Sequence, residues 1–270
     1  ANCAAGCTVL LKDGTYAPQG VLDVTGATAL RQGTAAQPVT IKAENARKAF
    51  IQGTTASTQI LRLQNAQYYI IDGLRLENID SVTGSGSNLN IENGVSVTVR
   101  NSLFRFNNRF KNSHLLILEN GSNNLVEKNE FYSWHRKAVH PRKSHFNTIR
   151  SNYFNARCAG NVTGGYVSTT SEDISIYPGH DNLVENNIAE NTTPCSFSSQ
   201  GYNIDATIPG PNDHNRFFGN IVLNHTWGAV FKARGDTADQ MPQETTVENF
   251  VVLTATKIGL WLKSVENLTT

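Results

Sequence analysis

One asparagine returns at a fixed place in a short motif, and it does so at uneven steps. The motif reads Asn124-Leu125-Val126-Glu127-Lys128-Asn129-Glu130-Phe131, then Asn147-Thr148-Ile149-Arg150-Ser151-Asn152-Tyr153-Phe154. It continues as Asn182-Leu183-Val184-Glu185-Asn186-Asn187-Ile188 and Asn215-Arg216-Phe217-Phe218-Gly219-Asn220-Ile221. Weaker copies are Val97-Thr98-Val99-Arg100-Asn101-Ser102-Leu103 and Thr245-Thr246-Val247-Glu248-Asn249-Phe250. The second Asn thus recurs at 101, 129, 152, 187, 220 and 249, in steps of 28, 23, 35, 33 and 29 residues. A unit this short cannot bury its own apolar face, so the copies must stack on one another. The uneven period, without the leucine spacing, excludes leucine-rich repeats, and a propeller blade is longer than the shortest step. A β-sandwich would not repeat one Asn six times.

A second short apolar run accompanies each copy. Ile60-Leu61-Arg62-Leu63, Leu89-Asn90-Ile91-Glu92, Leu115-Leu116-Ile117-Leu118, Ala138-Val139-His140-Pro141, Ile174-Ser175-Ile176-Tyr177, Ala229-Val230-Phe231-Lys232 and Leu260-Trp261-Leu262-Lys263 mostly alternate apolar and polar. Such runs are half-buried strands bounded by turns. A minimum step of 23 residues accommodates three short strands and three turns. That is one coil of a parallel β-helix, with coils stacked ~4.8 Å apart. Asn at a fixed turn position passes amide hydrogen bonds from coil to coil and satisfies buried polar groups along the axis. The chain reads as a single all-β domain over 1–270, a solenoid with insertion loops at 155–172, 190–213 and 233–243. The lone Met and the abundance of Asn, Thr, Ser, Gly and Val agree, because those residues favour strands and turns over helix interiors.

These Asn rows and Val/Ile/Phe stacks resemble the right-handed parallel β-helix of the pectate-lyase superfamily. The opening Cys7-Thr8-Val9-Leu10-Leu11-Lys12-Asp13-Gly14-Thr15-Tyr16 is similar to the strand-then-DGTY entry of many such lyases. The resemblance covers nearly the whole chain and implies the fold; the same fold hosts hydrolases, epimerases, adhesins and phage tailspikes.

Charge and cysteine set the surroundings. Lys+Arg 23 against Asp+Glu 22 leaves a net charge of +1, so no global field draws the chain to nucleic acid. No apolar run approaches the ~18 residues of a membrane span. The four cysteines lack the spacing of a zinc site. Cys3–Cys7 and Cys158–Cys195 are the economical disulfides, each pair being local; four free buried thiols are the alternative. The opening Ala1-Asn2-Cys3 looks like a chain trimmed of a signal peptide, which predicts an oxidising, secreted or cell-surface location. The closing Glu266-Asn267-Leu268-Thr269-Thr270 falls in the middle of a coil, which predicts a continuing chain or a stacked partner covering an open edge.

Stacking the second strands in register puts two outward rows on one sheet. The first reads Arg62, Asn90, Ile117, His140, Ser175, Val230 and Trp261. The second reads Gln64, Glu92, Glu119, Arg142, Tyr177, Lys232 and Lys263, with Asp205 between Tyr177 and Lys232. The middle coils therefore gather His140, Arg142, Tyr177, Asp205, Lys232 and Arg234 on one face, where adjacent side chains come within ~5–7 Å. The alternative is an ordinary solvated face. The densest feature is Trp134-His135-Arg136-Lys137-Ala138-Val139-His140-Pro141-Arg142-Lys143-Ser144-His145. Its guanidinium and ammonium groups suit the carboxylates of an acidic polysaccharide, with Trp134 as a stacking platform for a sugar ring.

The run Pro141-Arg142-Lys143-Ser144-His145-Phe146-Asn147-Thr148-Ile149-Arg150-Ser151-Asn152-Tyr153-Phe154 resembles a segment of chondroitinase-B-like and alginate lyases. There a Lys, matched here by Lys143, is the base of a β-elimination, an Arg on the next coil assists, and calcium neutralises the uronate carboxylate. Tyr177 stands where that Arg falls, and Arg136 and Ala138 replace the acidic calcium ligands. Elimination needs a base for the C5 proton and positive charge for the enolate-like intermediate. The expected roles are Lys143 or His140 as base and Tyr177 as acid, with Arg136, Arg142, Trp134, Lys232, Arg234 and Asp205 binding substrate. A hydrolase would need two carboxylates across one groove, and no tight outward pair stands out. The rival expectation is a non-catalytic β-helix, an adhesin or a surface-filament subunit.

Overall fold

A computed structural model describes residues 3–25, 32–53, 59–78, 86–106, 114–132, 134, 136–155, 170–191, 198–205, 211–232 and 244–263. Every element among them is a strand, and the strands form three parallel sheets of nine. Each coil contributes one strand to each sheet in turn, so neighbours in a sheet are three elements apart in the chain. This is the right-handed parallel β-helix. Nine rungs at ~4.8 Å make a rod with a core about 40 Å long.

The core is a set of stacks running along the axis. In the first sheet Val9, Ile41, Ile71, Val99, Val126, Ile149, Val184, Phe217 and Val247 lie in register through all nine coils. In the second sheet Phe104, Phe131 and Phe154 stack with ring centroids 5.0 and 4.9 Å apart, one coil spacing each. The next rungs of that stack shrink to Ala189 and Val222. Tyr202 of the third sheet is fully buried there, against Phe217 and Phe250. The core also holds a polar contact, His225 Nε2 lying 3.1 Å from Asp173 Oδ2.

Asparagine forms rows at the corners. At the corner between first and second sheets, the side-chain oxygen of each Asn accepts from the backbone N–H and the amide of the one before. The chain of bonds runs Asn129 to Asn152, Asn152 to Asn187 and Asn187 to Asn220, at 2.9–3.1 Å. Asn124, Asn147, Asn182 and Asn215 repeat the device where the third sheet passes to the first. The alignment of Asn101 and Asn249 with this row is corrected by one residue. Strand register places Ser102 and Phe250 at the row position. Asn101 and Asn249 instead take the preceding left-handed position, with φ of 54° and 50°, which Asn tolerates well.

Cys3 and Cys7 form a disulfide. Cys158, Cys195 and Arg234 lie outside the described residues, as do the side chains of Asp205 and Lys232. No helix among the described residues is long and apolar enough to cross a membrane.

Candidate active site on the third sheet

The third sheet carries the candidate site, and its strand register reproduces the first members of the two outward rows. Arg62, Asn90, Ile117 and His140 are successive partners, as are Gln64, Glu92, Glu119 and Arg142. Asp205 pairs with Lys232 one coil further on than Tyr177. The strand Lys137–Arg142 meets the strand Thr170–Ile176 through Lys137↔Glu172 and Val139↔Ile174. Pro141 lacks an N–H to give to this ladder, but its carbonyl accepts from Tyr177 at 2.9 Å.

A third outward row lies at the strand starts, where Ser87, His114, Lys137 and Glu172 are successive partners. Alternation in the sequence does not reveal it. Two consecutive buried residues, such as Leu115-Leu116 and Ala138-Val139, follow the row position and interrupt the period of two.

The outward groups of the middle coils are withdrawn from water although they face away from the core. Lys137 is 1 % exposed, Glu172 4 % and His140 5 %, and Ser175 is fully buried. Lys137 Nζ lies 3.4 Å from Glu172 Oε2 and 3.7 Å from the centroid of the Tyr177 ring. The His140 ring stacks on His114 at 5.1 Å and meets the Tyr177 ring nearly edge-on, also at 5.1 Å. His140 Nδ1 is 2.8 Å from the Ser175 carbonyl. A carbonyl only accepts, so Nδ1 carries the proton and Nε2 holds the lone pair.

Burial holds His140 well below the usual histidine range, with the Lys137 ammonium and His114 adding to the effect and the Ser175 bond opposing it. Burial does the same to His114, aided by Lys137, Arg136 and Arg142. Both rings are therefore neutral near pH 7.

The remaining expected residues divide. Arg142 borders this cluster, partly exposed, with Nη1 3.1 Å from Glu119 Oε1. Arg136 immediately precedes Lys137, and its carbonyl accepts from the Glu172 N–H. Lys143 is exposed at the turn beyond Arg142, with φ of 49°, and its N–H donates to the Pro178 carbonyl. It extends the left-handed turn row of Asn65, Asn93 and Asn120. Trp134 is corrected: it is 4 % exposed and packs edge-on against Phe154, so it presents no ring face to a sugar. Glu92 and Glu119, neighbours in the second row, are in register on adjacent coils. Each is matched by an arginine, Arg62 at 2.8 Å and Arg142 at 3.1 Å.

The calcium implied by the resemblance does not fit. Ala138 points into the core, and Arg136 brings a cation where an anionic ligand is needed. Among the described residues no group of three or more His, Cys, Asp or Glu side chains gathers to hold a metal ion.

No protein-family profile matches the chain, and no curated protein sequence does. Solved structures do. An alginate lyase from Paenibacillus sp. str. FPU-7 superposes with a TM-score of 0.64 at 14 % identity, covering 100 % of this chain and 94 % of that one. A mannuronic acid specific polysaccharide family 6 lyase from human gut microbiota superposes with a TM-score of 0.63 at 18 % identity. That match covers 96 % of this chain and 62 % of the enzyme. PfbA, a surface adhesin of Streptococcus pneumoniae, superposes at 0.55 with 13 % identity, over 96 % of this chain and 70 % of that one. At these identities the likeness is one of fold.

Proposed function

We propose that this chain is a secreted or cell-surface polysaccharide lyase that cleaves a uronate-containing glycan by β-elimination. The observation that carries the reading is the desolvated polar cluster on the outer face of the third sheet. An outward Lys, His, Glu and Ser withdrawn from water on a rigid scaffold serve no packing purpose in the core, and perturbed groups of this kind concentrate at functional sites. His140 or Lys143 takes the C5 proton, and Tyr177 protonates the leaving oxygen. Arg142 and Arg136, with Lys232 and Arg234 further along, neutralise the carboxylate and the charge of the intermediate, the work calcium does in the resembled enzymes. Asp205 orients the sugar hydroxyls. The likeness in fold to polysaccharide lyases and the Cys3–Cys7 disulfide agree with an exported enzyme on an acidic polysaccharide.

A second reading, a β-helix that binds a glycan without cleaving it, is favoured by the likeness to a surface adhesin. Incubation with alginate, pectate and chondroitin polymers separates the two. The lyase reading expects a rising ultraviolet absorbance from the unsaturated sugar. Retention of the chain on a uronate column with no absorbance change on any polymer would establish the adhesin reading instead.

A further inference from the structure

The site contains a buried cation that neither the repeat nor the local motif singles out. Lys137 opens the strand Lys137–Arg142 and is held on two sides, by the Glu172 carboxylate at 3.4 Å and by the face of the Tyr177 ring at 3.7 Å. Tyr177 in turn meets His140, whose tautomer is set by the Ser175 carbonyl. One ammonium thus connects a fixed carboxylate to the phenol ring that flanks the imidazole. A cation against the face of an aromatic ring is attracted to it and favours one orientation of that ring. Lys143 has no such setting. It is exposed at the turn. Its left-handed backbone does not single it out either, since Lys128, Phe146 and His214 adopt the same region at other corners.

We propose that Lys137 is a positioning residue for His140 and Tyr177, and that this pair, not Lys143, moves the protons of the elimination. The assignment rests on the lyase reading. The Nε2 lone pair of His140 accepts the C5 proton, and the C5–H electron pair becomes the C4–C5 double bond. The C4–O bond breaks, and its oxygen leaves with the phenolic proton of Tyr177. The imidazolium then returns its proton through solvent to the phenolate, restoring both groups. Lys137 faces the ring on which negative charge appears during that step. An arriving uronate carboxylate adds negative charge near His140 and raises its basicity when substrate is bound.

Among the described residues, the charged and titratable groups facing His140 are Lys137 and Arg142 on its own strand, His114 on the strand before and Tyr177 after, with Glu172 paired to Lys137. Lys137→Met alone would take the ammonium away from the buried Glu172 carboxylate, so the test uses Lys137→Met together with Glu172→Gln. Imidazole NMR, assigned with His140→Gln, is expected to show the His140 titration moving to higher pH in the double variant, because a cation that suppresses it is gone. On whichever polymer is cleaved, kcat is expected to fall ~10²-fold with KM within about twofold, the signature of lost alignment. The acid limb of the pH profile should follow the His140 titration. Lys137→Arg should recover part of kcat.

A loss of ~10²–10⁴-fold in Lys143→Ala would make Lys143 the base and overturn the proposal. So would an unmoved His140 titration with unchanged kcat in the double variant. Absence of cleavage by the unaltered chain overturns the lyase reading and the elimination step with it. The NMR titration then still decides whether Lys137 governs His140.

Discussion

The outer faces of the first and third sheets carry the same kind of residue at the same kind of position, yet in different surroundings. On the first sheet, Arg100 reaches back to Asp72 at 2.9 Å, and Arg150 spans Glu127 and Glu185 at 2.8 and 3.9 Å. These are cross-coil pairs with half-exposed arginines, 38 % and 44 % accessible at the side chain. On the third sheet, Lys137 and Glu172 make an equivalent cross-coil pair with 1 % and 6 % accessible. Opposite charges on adjacent rungs are the default of a parallel stack, since like charges in register repel. What distinguishes the Lys137 and Glu172 pair is therefore its withdrawal from water, since Arg62 with Glu92 and Arg142 with Glu119 on the same sheet stay partly exposed. The charges themselves are common to both faces. A desolvated ion pair adds little to stability compared with apolar residues of the same shape.

The sharpest way to break this contrast is to remove one partner on each face. Lys137→Ala leaves Glu172 buried without its ammonium and is expected to destabilise the chain by ~3–5 kcal/mol in urea denaturation. Arg150→Ala, on the exposed face, is expected to cost no more than ~1 kcal/mol. Equal losses would show that the two faces are alike and that burial of the third sheet carries no special meaning.

Acid provides the next test. His114 and His140 are held below the usual range when folded and return to it when unfolded. Between the folded value and the unfolded ~6.5, the unfolded chain binds more protons, so stability falls as pH drops below ~6.5. Each ring contributes a slope of at most ~1.4 kcal/mol per pH unit. His140→Gln is expected to flatten the fall in urea midpoint between neutral and mildly acidic buffer. An undiminished fall would place the acid sensitivity elsewhere.

The smallest effect is that of salt. A double-mutant cycle on Arg150 and Glu127 is expected to give a coupling below ~1 kcal/mol that shrinks on going from dilute buffer to ~1 M salt. The same cycle on Lys137 and Glu172 should hardly change, because counterions do not enter a buried pair. Parallel salt responses would blur the distinction drawn between the faces.

The repeat was legible at several levels. Asn129, Asn152, Asn187 and Asn220 line one corner because a buried amide needs a partner one rung away, and only the same residue at the same place in each coil supplies it. Alternation within strands was enough to place Arg62, Asn90, Ile117 and His140 in one row and Glu92, Glu119 and Arg142 in the next. Where alternation stops, so did the reading. Lys137 and Glu172 precede a doublet of buried residues in their coils, and a period of two cannot be carried across it. Trp134 looked like a sugar platform from its basic neighbours, whereas its ring packs on Phe154 from a connection between sheets that carries no period at all.

By itself, then, the sequence determined that the chain coils, how its rungs register and which side chains turn away from the core. All of these follow from spacing, since hydrogen-bonded amides and stacked apolar residues repeat only at set positions. Which outward face loses its water was decided by the tertiary structure alone. Arg150 and Lys137 are both cations facing away from the core, and nothing in their local spacing tells one environment from the other. Burial of an outward group depends on what lies over it in space. That comes from segments far away in the chain, as Glu172, thirty-five residues on from Lys137, and Tyr177 close around it.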